Sequence, residues 1–363
     1  MNPVPVLALD DFETLAKSVL PPDVWDFVAG GSGAELTMAA NRRALDAVSV
    51  YPRVLAGAAP VTETTLLGTR LAMPVAVAPM AYQRLVHPDG EIAMAQAARA
   101  AGVPIVAGTL SSYPIEQIAA TGALVWFQIY WLRERARLQE LIERAEAAGS
   151  AALMLTLDVP IMGRRLRDLR NGFSLPSQVI AANLSDGSAS RAHVSTAGQS
   201  AVAAHTGELL GPALGWADLE WLRERTSLPL AVKGILDPRD AARAVQVGVD
   251  AIVVSNHGGR QLDGAPASIS ALAAVLAEVG GNCQVLFDSG VRSGADVLRA
   301  LALGAAGVLV GRPLLWALAV DGAAGAGRAL SMLATELCEA LTLAGCRDLA
   351  AAGDLRTERG DHR

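Results

Sequence analysis

Short runs of apolar residues alternate with amphipathic stretches along most of the chain from about residue 70. Each run is almost continuously apolar, which is typical of a strand buried on both faces of a parallel sheet. The stretches between the runs have helical periodicity, and several end on glycine, as at 133–149 and 237–248. The eight runs that we predict to be strands are residues 73–79, 103–108, 123–130, 151–158, 228–234, 250–256, 284–290 and 306–312.

Eight strands separated by helices favour a closed parallel barrel over an open doubly wound sheet. We therefore predict an α/β fold, a (β/α)8 TIM barrel at residues 71–345, within a single domain that spans residues 1–363. Active sites of such barrels lie at the carboxyl ends of the strands, so we expect the functional residues there.

Three segments lie outside the regular repeat. Residues 1–70 contain a helical pattern near 10–28 and are predicted to form an N-terminal helical cap. Residues 159–215 are far longer than a normal connection between a strand and its helix. Because this connection leaves the catalytic face, we interpret it as a mobile lid, and an insertion without function is the alternative. Residues 346–363 are interpreted as a C-terminal tail.

Composition excludes several classes of protein. The 30 Lys and Arg against 36 Asp and Glu give a net charge of −6, which argues against a nucleic-acid partner. Apolar runs such as 123–132 fall short of the roughly 20 residues that a membrane span needs, so no membrane association is expected. The three cysteines have no metal-ligand spacing, and the start of the chain has no secretion signal, so we predict no metal site and a cytoplasmic protein.

Polar side chains gather where the predicted strands end. Burying so many polar groups is costly unless they have partners, so their convergence indicates an active site. Arg260 follows the sixth strand closely. The side chains at the strand ends are Gln128, Tyr130, Thr156, Asp158, Lys233, Ser255, Asn256, His257, Asp288 and Ser289.

Glycines and arginines follow the last two strands, in the segments 288–294 and 310–313. Barrels commonly bind a phosphate at this position through backbone N–H groups, and Arg292 and Arg312 can add charged hydrogen bonds. By themselves these segments indicate only a phosphorylated ligand.

The segment at residues 255–264 is more specific, since it reads SNHGGRQLDG. With it, the chain resembles the FMN-dependent α-hydroxy-acid oxidase and dehydrogenase family, and most closely the branch that oxidises mandelate or 4-hydroxymandelate. The resemblance covers nearly the whole chain, through AANRRAL (39–45), APMAYQRLVHPDGE (78–91), FQIYWLRER (127–135), LTLDVPIMGRR (155–165), VKGI (232–235), FDSGVRSG (287–294) and GAAGVLVGRP (304–313).

The resemblance implies oxidation of an (S)-2-hydroxy acid to the 2-keto acid, with O2 reduced to H2O2. It implies that His257 is the catalytic base and that Asp158 pairs with it. Arg165 and Arg260 correspond to the two arginines that bind the substrate carboxylate, for which a guanidinium has the right geometry. Tyr130 corresponds to the tyrosine that hydrogen-bonds the substrate hydroxyl.

The resemblance also implies a set of residues that bind FMN. Lys233 corresponds to the lysine near flavin N1 and O2, where a positive charge favours the anionic reduced ring. Asp288 corresponds to the residue that binds the ribityl hydroxyls. The positions around the isoalloxazine are Pro79, Met80, Ala81, Ser111, Gln128, Thr156 and Ser255, and those at the phosphate are Gly290, Arg292, Gly311 and Arg312.

One position departs from the family pattern. Where much of the family has a tyrosine that donates to the substrate carboxylate, this chain has Phe27. A buried hydrogen bond to a charged group contributes about 1–3 kcal/mol, so its loss weakens binding of small polar acids. We expect the less polar rim at Phe27 to favour an aromatic or bulky substrate over glycolate.

Other interpretations remain open on the sequence alone. The same oxidation with a quinone or protein as electron acceptor, or with an aliphatic glycolate- or lactate-type substrate, is the nearest alternative. A phosphate-binding aldolase with a Schiff base on Lys233, or a binding module without catalysis, would leave His257, Arg260, Arg165 and Tyr130 without a joint purpose. The resemblance also implies a homo-oligomer, typically a tetramer.

Overall fold

The computed structural model of the chain describes residues 5–56, 59–184, 200–211 and 214–360. Its strands are β1 (Val48–Val50), β2 (Thr64–Leu66), β3 (Thr69–Leu71), β4 (Val75–Val77), β5 (Ile105–Gly108), β6 (Val125–Ile129), β7 (Ala152–Thr156), β8 (Leu230–Ile235), β9 (Ala251–Val254), β10 (Gln284–Phe287), β11 (Gly307–Val310) and β12 (Thr357–Arg359). Strands β4 to β11 are parallel and close into a barrel in chain order. This confirms the predicted (β/α)8 barrel, although each strand is shorter than the apolar run that predicted it.

Helices follow most barrel strands, as the alternating pattern predicted. Among the described residues, none of them combines the length and apolar character needed to cross a bilayer. The helices are α1 (Leu9–Val19), α2 (Pro22–Ala29), α3 (Leu36–Asp46), α4 (Gly90–Ala100), α5 (Ile115–Ala119), α6 (Arg135–Ala147), α7 (Leu166–Asn171), α8 (Ala201–Leu209), α9 (Trp216–Arg223), α10 (Pro238–Val247), α11 (Ser268–Val279), α12 (Gly294–Ala302), α13 (Arg312–Ala344) and α14 (Leu349–Gly353).

Apolar side chains fill the inside of the barrel. Because side chains alternate between the two faces of a strand, every second residue points inward. The hairpin of β2 and β3 adds Leu66, Leu67 and Leu71 to this core and packs against the starts of β10 and β11. Every barrel strand contributes to this core, β7 and β9 with two residues each, and the residues are Ala76, Val106, Trp126, Ala152, Met154, Ala231, Ala251, Val253, Leu286 and Leu309.

The segments on either side of the barrel differ in detail from the sequence interpretation. The predicted helix at 10–28 is two helices, because Pro21 and Pro22 interrupt it and Leu20 has extended backbone angles. The residues interpreted as a C-terminal tail contain α14 and β12, and β12 pairs antiparallel with β1. The two ends of the chain are therefore joined by a small sheet.

The long connection after β7 packs on the catalytic end of the barrel. It contains α7, a 3-10 turn at Ala182–Leu184 and α8. Leu132 and Leu210 form an isolated bridge that joins the segment after α8 to the end of β6. The middle of the predicted lid, residues 185–199, lies outside the described residues.

The packing of α12 against α13 depends on a glycine. A methyl group at Gly294 would overlap the backbone of Glu336 and Leu337 in α13. We therefore expect Gly294→Ala to push the two helices apart and to destabilise the protein by about 1–3 kcal/mol. Thermal unfolding of the protein with its cofactor bound measures the effect. Gly327→Ala is the control, because this glycine of α13 has open space around it and should tolerate the methyl group.

Candidate active site

A cavity of about 1270 Å³, including its open mouth, lies at the carboxyl ends of the barrel strands. This is the end of a parallel barrel at which catalytic groups collect. Most of the residues predicted to bind substrate or cofactor line it. These lining residues are Phe27, Pro79, Met80, Ala81, Tyr130, Arg165, Lys233, His257, Arg260, Asp288, Gly290, Arg292, Gly311 and Arg312.

The alternation of side chains explains why the polar residues meet. In five of the barrel strands, the residue two positions after the inward-facing apolar residue is polar, and its side chain points to the same face of the strand. The pairs are Trp126 and Gln128, Met154 and Thr156, Ala231 and Lys233, Val253 and Ser255, and Leu286 and Asp288. A further two positions along lie Tyr130, Asp158, His257 and Gly290. The apolar core of the barrel is thus covered by a buried polar layer, and the reactive groups stand above that layer.

His257 and Asp158 form a hydrogen-bonded pair at the cavity. Nδ1 of His257 lies 2.9 Å from Oδ1 of Asp158. His257 has φ +58°, an uncommon angle for a residue other than glycine. Its backbone N–H donates to Ser255, which helps to hold that turn. Gly234 leaves the space for Asp158, since a Cβ at that glycine would lie 2.6 Å from the Cβ of Asp158.

The protonation states of the two side chains allow His257 to act as a general base. Burial lowers the pKa of His257 below its usual value, and this effect outweighs the charge and hydrogen bond of Asp158, which raise it. The nearby Lys233 charge adds to the lowering. Burial alone would raise the pKa of Asp158, but the His257 and Lys233 charges hold it below its usual value. At neutral pH His257 is therefore a neutral imidazole beside an ionised carboxylate.

Lys233 is a buried, fixed positive charge next to the pair. Its Nζ lies 3.1 Å from Oδ2 of Asp288 and donates to Oγ of Ser255 at 2.8 Å. Burial lowers the pKa of Lys233, but Asp288 and Asp158 raise it by more, so that the net shift is upward. The lysine stays protonated and therefore carries no free electron pair. This protonation does not suit a Schiff base, which an aldolase would require.

Four of the predicted cofactor residues lie behind the cavity wall. Gln128 donates to Oγ1 of Thr156 at 3.0 Å and accepts from the backbone N–H of Thr109. Ser111 accepts from the backbone N–H of Gly108 at 2.9 Å, and Ser255 accepts from Lys233. These buried hydrogen bonds fix the side chains that form the floor of the cavity. Tyr130 and His257 follow Gln128 and Ser255 by two positions in the chain and lie above this floor.

Arg165 and Arg260 lie over one aromatic ring at the other side of the cavity. The guanidinium carbon of each is 5.4 Å from the centre of the Phe27 ring, which stacks on Phe173 at 4.5 Å. Arg260 donates to the backbone carbonyls of Phe27 and Gly30, which fixes its position. Burial and the charge of Arg260 lower the pKa of Arg165 to about 9, so both are cations at neutral pH.

A second cationic corner lies where β10 and β11 end. Arg312 donates to the carbonyls of Val28, Gly30 and Gly258, and burial together with neighbouring arginines lowers its pKa well below the usual range. Gly311 is the N-cap of α13 and has no side-chain cap. Pro313 has no N–H and the N–H of Leu314 bonds to the Gly311 carbonyl, so the N–H of Arg312 is the one in the first turn that remains available for an anion. An uncompensated buried cation beside a helix N-terminus fits a phosphate group.

Tyr130 lies between the imidazole and the cations. Burial and the negative charge of Asp158 raise its pKa to about 12, so the phenol keeps its proton and can donate it. Its backbone N–H is bound to Oγ1 of Thr109 at 3.2 Å. The phenol hydroxyl is therefore a fixed hydrogen-bond donor on the wall that it shares with His257.

The sequence reasoning assigned no role to Asn41, Gln261, Leu110 or Val202, and it named Asn256 at a strand end without giving it a contact. Asn41 and Asn256 exchange hydrogen bonds of 2.9 and 2.7 Å through their amides, which ties α3 to the turn that carries His257. Gln261 binds the carbonyls of Asp158 and Ile161 and lines the cavity. Asn41 stands in the quoted AANRRAL segment, so its motif was visible, but its contact joins positions 215 residues apart. Leu110 and Val202 add apolar lining that no local pattern indicates.

Known proteins with similar sequences are flavoenzymes. Residues 16–358 match the FMN-dependent dehydrogenase family model. The chain is 54% identical over 355 residues to 4-hydroxymandelate oxidase of Amycolatopsis orientalis, covering 98% of this chain and 99% of that enzyme. It is 46% identical over 348 residues to L-lactate oxidase of a Nostoc species, covering 94% of this chain and 95% of that enzyme.

The fold is shared as well. The crystal structure of mandelate oxidase with (S)-4-hydroxymandelic acid matches this chain with a TM-score of 0.95 at 53% identity, covering 98% of this chain and 99% of that one. FMN is confirmed as the cofactor, and the cavity fits it. The cationic corner at Arg312 suits its phosphate, and Lys233 suits a ring that becomes negative on reduction. The chain belongs to the FMN-dependent dehydrogenase family.

Proposed function

We propose that this protein oxidises an (S)-2-hydroxy acid with an aromatic side chain, such as mandelate or 4-hydroxymandelate, to the 2-keto acid. When bound, FMN would supply the two-electron redox chemistry that couples this oxidation to the reduction of O2 to H2O2. One observation carries the proposal: the neutral imidazole of His257 opens onto the same cavity as the paired cations Arg165 and Arg260. The identity to 4-hydroxymandelate oxidase and the structural match to mandelate oxidase support the aromatic substrate.

The two arginines would bind the substrate carboxylate. Both guanidinium groups lie 5.4 Å from the centre of the Phe27 ring and line the same cavity, and a guanidinium can give two parallel hydrogen bonds to a carboxylate. Anchoring the carboxylate fixes the neighbouring Cα and its hydroxyl relative to the cavity wall. Tyr130 would then donate its phenol proton to the hydroxyl oxygen and to the keto oxygen formed from it.

His257 would accept the proton that the oxidation releases. Its Nδ1 is hydrogen-bonded to Asp158, so the neutral ring carries its hydrogen there and presents the Nε2 lone pair as the base. The ionised Asp158 stabilises the imidazolium that results. Proton acceptance and substrate anchoring are thus assigned to opposite walls of one cavity.

The remaining predicted residues would hold FMN. Lys233, fixed by Asp288 and Ser255, would stabilise negative charge on the reduced ring. The backbone of Pro79, Met80 and Ala81 lines the cavity and would contact the ring. Behind them, the buried network of Ser111, Gln128 and Thr156 would support it, and Gly290, Arg292, Gly311 and Arg312 would hold the phosphate.

The apolar part of the cavity fits the aromatic side chain of the substrate. Leu110, Met162 and Val202 line it together with the face of Phe27. Burial of an aromatic ring against such side chains contributes substantially to binding, whereas glycolate has no group to place there. This supports the preference for an aromatic acid that Phe27 suggested.

Assembly and location remain proposals as well. We propose that the protein is a homo-oligomer, a tetramer by resemblance to its family, and that it is cytoplasmic. Val54, Leu55 and Leu343 are strongly exposed, and the backbone N–H of Arg53 bonds to Ala344, so that they lie near one another. An exposed apolar surface of this kind is suited to contact with a second copy.

Loss of the base tests the reaction itself. The yellow protein, titrated with (S)-mandelate without air, is expected to lose its flavin absorbance and to regain it when air is admitted, with one H2O2 per substrate. His257→Asn should keep FMN but slow the reduction about 10²–10⁴-fold, because no base accepts the proton. His87→Asn is the control, since His87 lies outside the cavity lining. Normal reduction in His257→Asn would contradict the role of His257, and reoxidation only by an artificial acceptor would contradict the oxidase assignment.

The pH dependence tests the pairing of His257 with Asp158. The base form is needed, so kcat/KM should fall as the pH drops through a pKa below the usual value of His257. Asp158 raises that pKa through its charge and hydrogen bond. Asp158→Asn should therefore move the acidic limb to still lower pH and also lower kcat, since the imidazolium loses its counter-charge. A limb that moves to higher pH would show that the carboxylate acts differently.

Restoring the family tyrosine tests substrate preference. Phe27→Tyr adds a hydroxyl next to the two arginines, and the new hydrogen bond is worth about 1–3 kcal/mol to a charged partner. We expect kcat/KM for glycolate to rise about 10-fold relative to that for mandelate, measured by steady-state oxygen consumption. Tyr113→Phe, a hydroxyl change outside the cavity lining, is the matched control. A wild-type protein that prefers glycolate over mandelate would refute the argument.

A further inference from the structure

Asp168 is a buried carboxylate that the reaction described above does not use. It lies in α7, is 1% exposed, and neither of its carboxylate oxygens has a hydrogen-bond partner in the described part of the chain. Only its backbone carbonyl is engaged, by the N–H groups of Gly172 and Phe173. A carboxylate buried in this way is costly, so its presence requires a compensating interaction.

The compensating charges are the two arginines assigned to the substrate. Arg165 lies three residues before Asp168 at the N-cap of α7, and Arg260 faces it from the turn after β9. The other charged groups that act on it are Asp26 of α2 and Arg167 of its own helix, and Arg167 is engaged by Glu35. Within the described ranges, neither Arg165 nor Arg260 makes a direct ion pair with Asp168, so the attraction acts through the protein interior, where it is weakly screened.

The arginines need such a charge. They lie over the same Phe27 ring, where burial and mutual repulsion oppose the charged state of Arg165. The Nε of Arg165 is buried and has no hydrogen-bond partner among the described residues. Asp168 is the strongest opposing influence on both guanidinium groups. Burial raises the pKa of Asp168, and the charges of Arg165 and Arg260 oppose that rise. With Asp168 ionised, two positive charges and one negative charge leave a net charge of +1, which matches one carboxylate.

We propose that Asp168 is a positioning residue that keeps Arg165 and Arg260 charged and turned toward one another before substrate binds, and so sets the selectivity of the site for a monoanionic carboxylate. The proposal rests on the function proposed above. Asp168 itself contacts neither substrate nor cofactor and acts only through the two guanidinium groups.

The test compares a charged ligand with its neutral analogue on the intact FMN protein. Benzoylformate and benzoylformamide differ in charge but scarcely in shape, and their binding is measured by the change in flavin absorbance between pH 6 and pH 10. In the wild type, affinity for benzoylformate should fall only near the pKa of Arg165, which is about 9. Asp168→Asn removes the charge that raises this pKa, so the fall should begin at lower pH. At pH 8 we expect an affinity loss of about 10-fold for the acid, and of less than about twofold for the amide.

The controls separate this proposal from a structural role. Asp26→Asn removes a more exposed carboxylate of α2 that pairs with Arg167, and it should leave both affinities unchanged. Asp168→Glu retains the charge and should restore the wild-type pH dependence; it also provides the test if Asp168→Asn does not retain FMN. Equal loss of the acid and the amide, or a Glu variant that behaves like Asn, overturns the proposal. Failure of benzoylformate to bind the wild type would instead contradict the proposed function.

Discussion

Alternation of side chains along parallel strands is the constraint on which this site depends. Every second residue of a barrel strand points inward, so a strand that fills the core with Val253 directs Ser255 along the same line, and the turn that follows carries His257. The same relation brings Lys233 and Asp288 to the top of the barrel interior. A shift of one residue in any of these strands would turn its reactive group away from the cavity and into the helices.

Charge compensation then decides which groups are free to act. Lys233 is balanced by Asp288, and His257 is paired with Asp158. Arg312 has no acidic partner within ion-pair distance in the described part of the chain, and its donors rest on backbone carbonyls. The site is therefore cationic at the two places where the proposed mechanism needs an anion, namely the FMN phosphate and the substrate carboxylate. Excess positive charge in a buried cavity favours anionic ligands because little solvent screens it.

Phe27 contacts several groups of the site through its ring and its backbone. Its ring stacks on Phe173 and supports the guanidinium groups of Arg165 and Arg260 from one side. It replaces a polar donor by an apolar face that is available to an aromatic substrate. The backbone carbonyl of the same residue holds Arg260, so α2 contributes to the site through both its side chain and its main chain.

The sequence by itself determined the barrel, its eight strands and the residue types at the strand ends, because almost continuous apolar runs and family motifs are local signals. It also identified FMN as the cofactor and the family to which the chain belongs. Only the tertiary structure decided that Asn41 binds Asn256 and that Asp168 lies buried without a hydrogen-bond partner among the described residues. Such facts depend on distances between residues far apart in the chain and on the loss of water around a charge, which no pattern of neighbouring residues records.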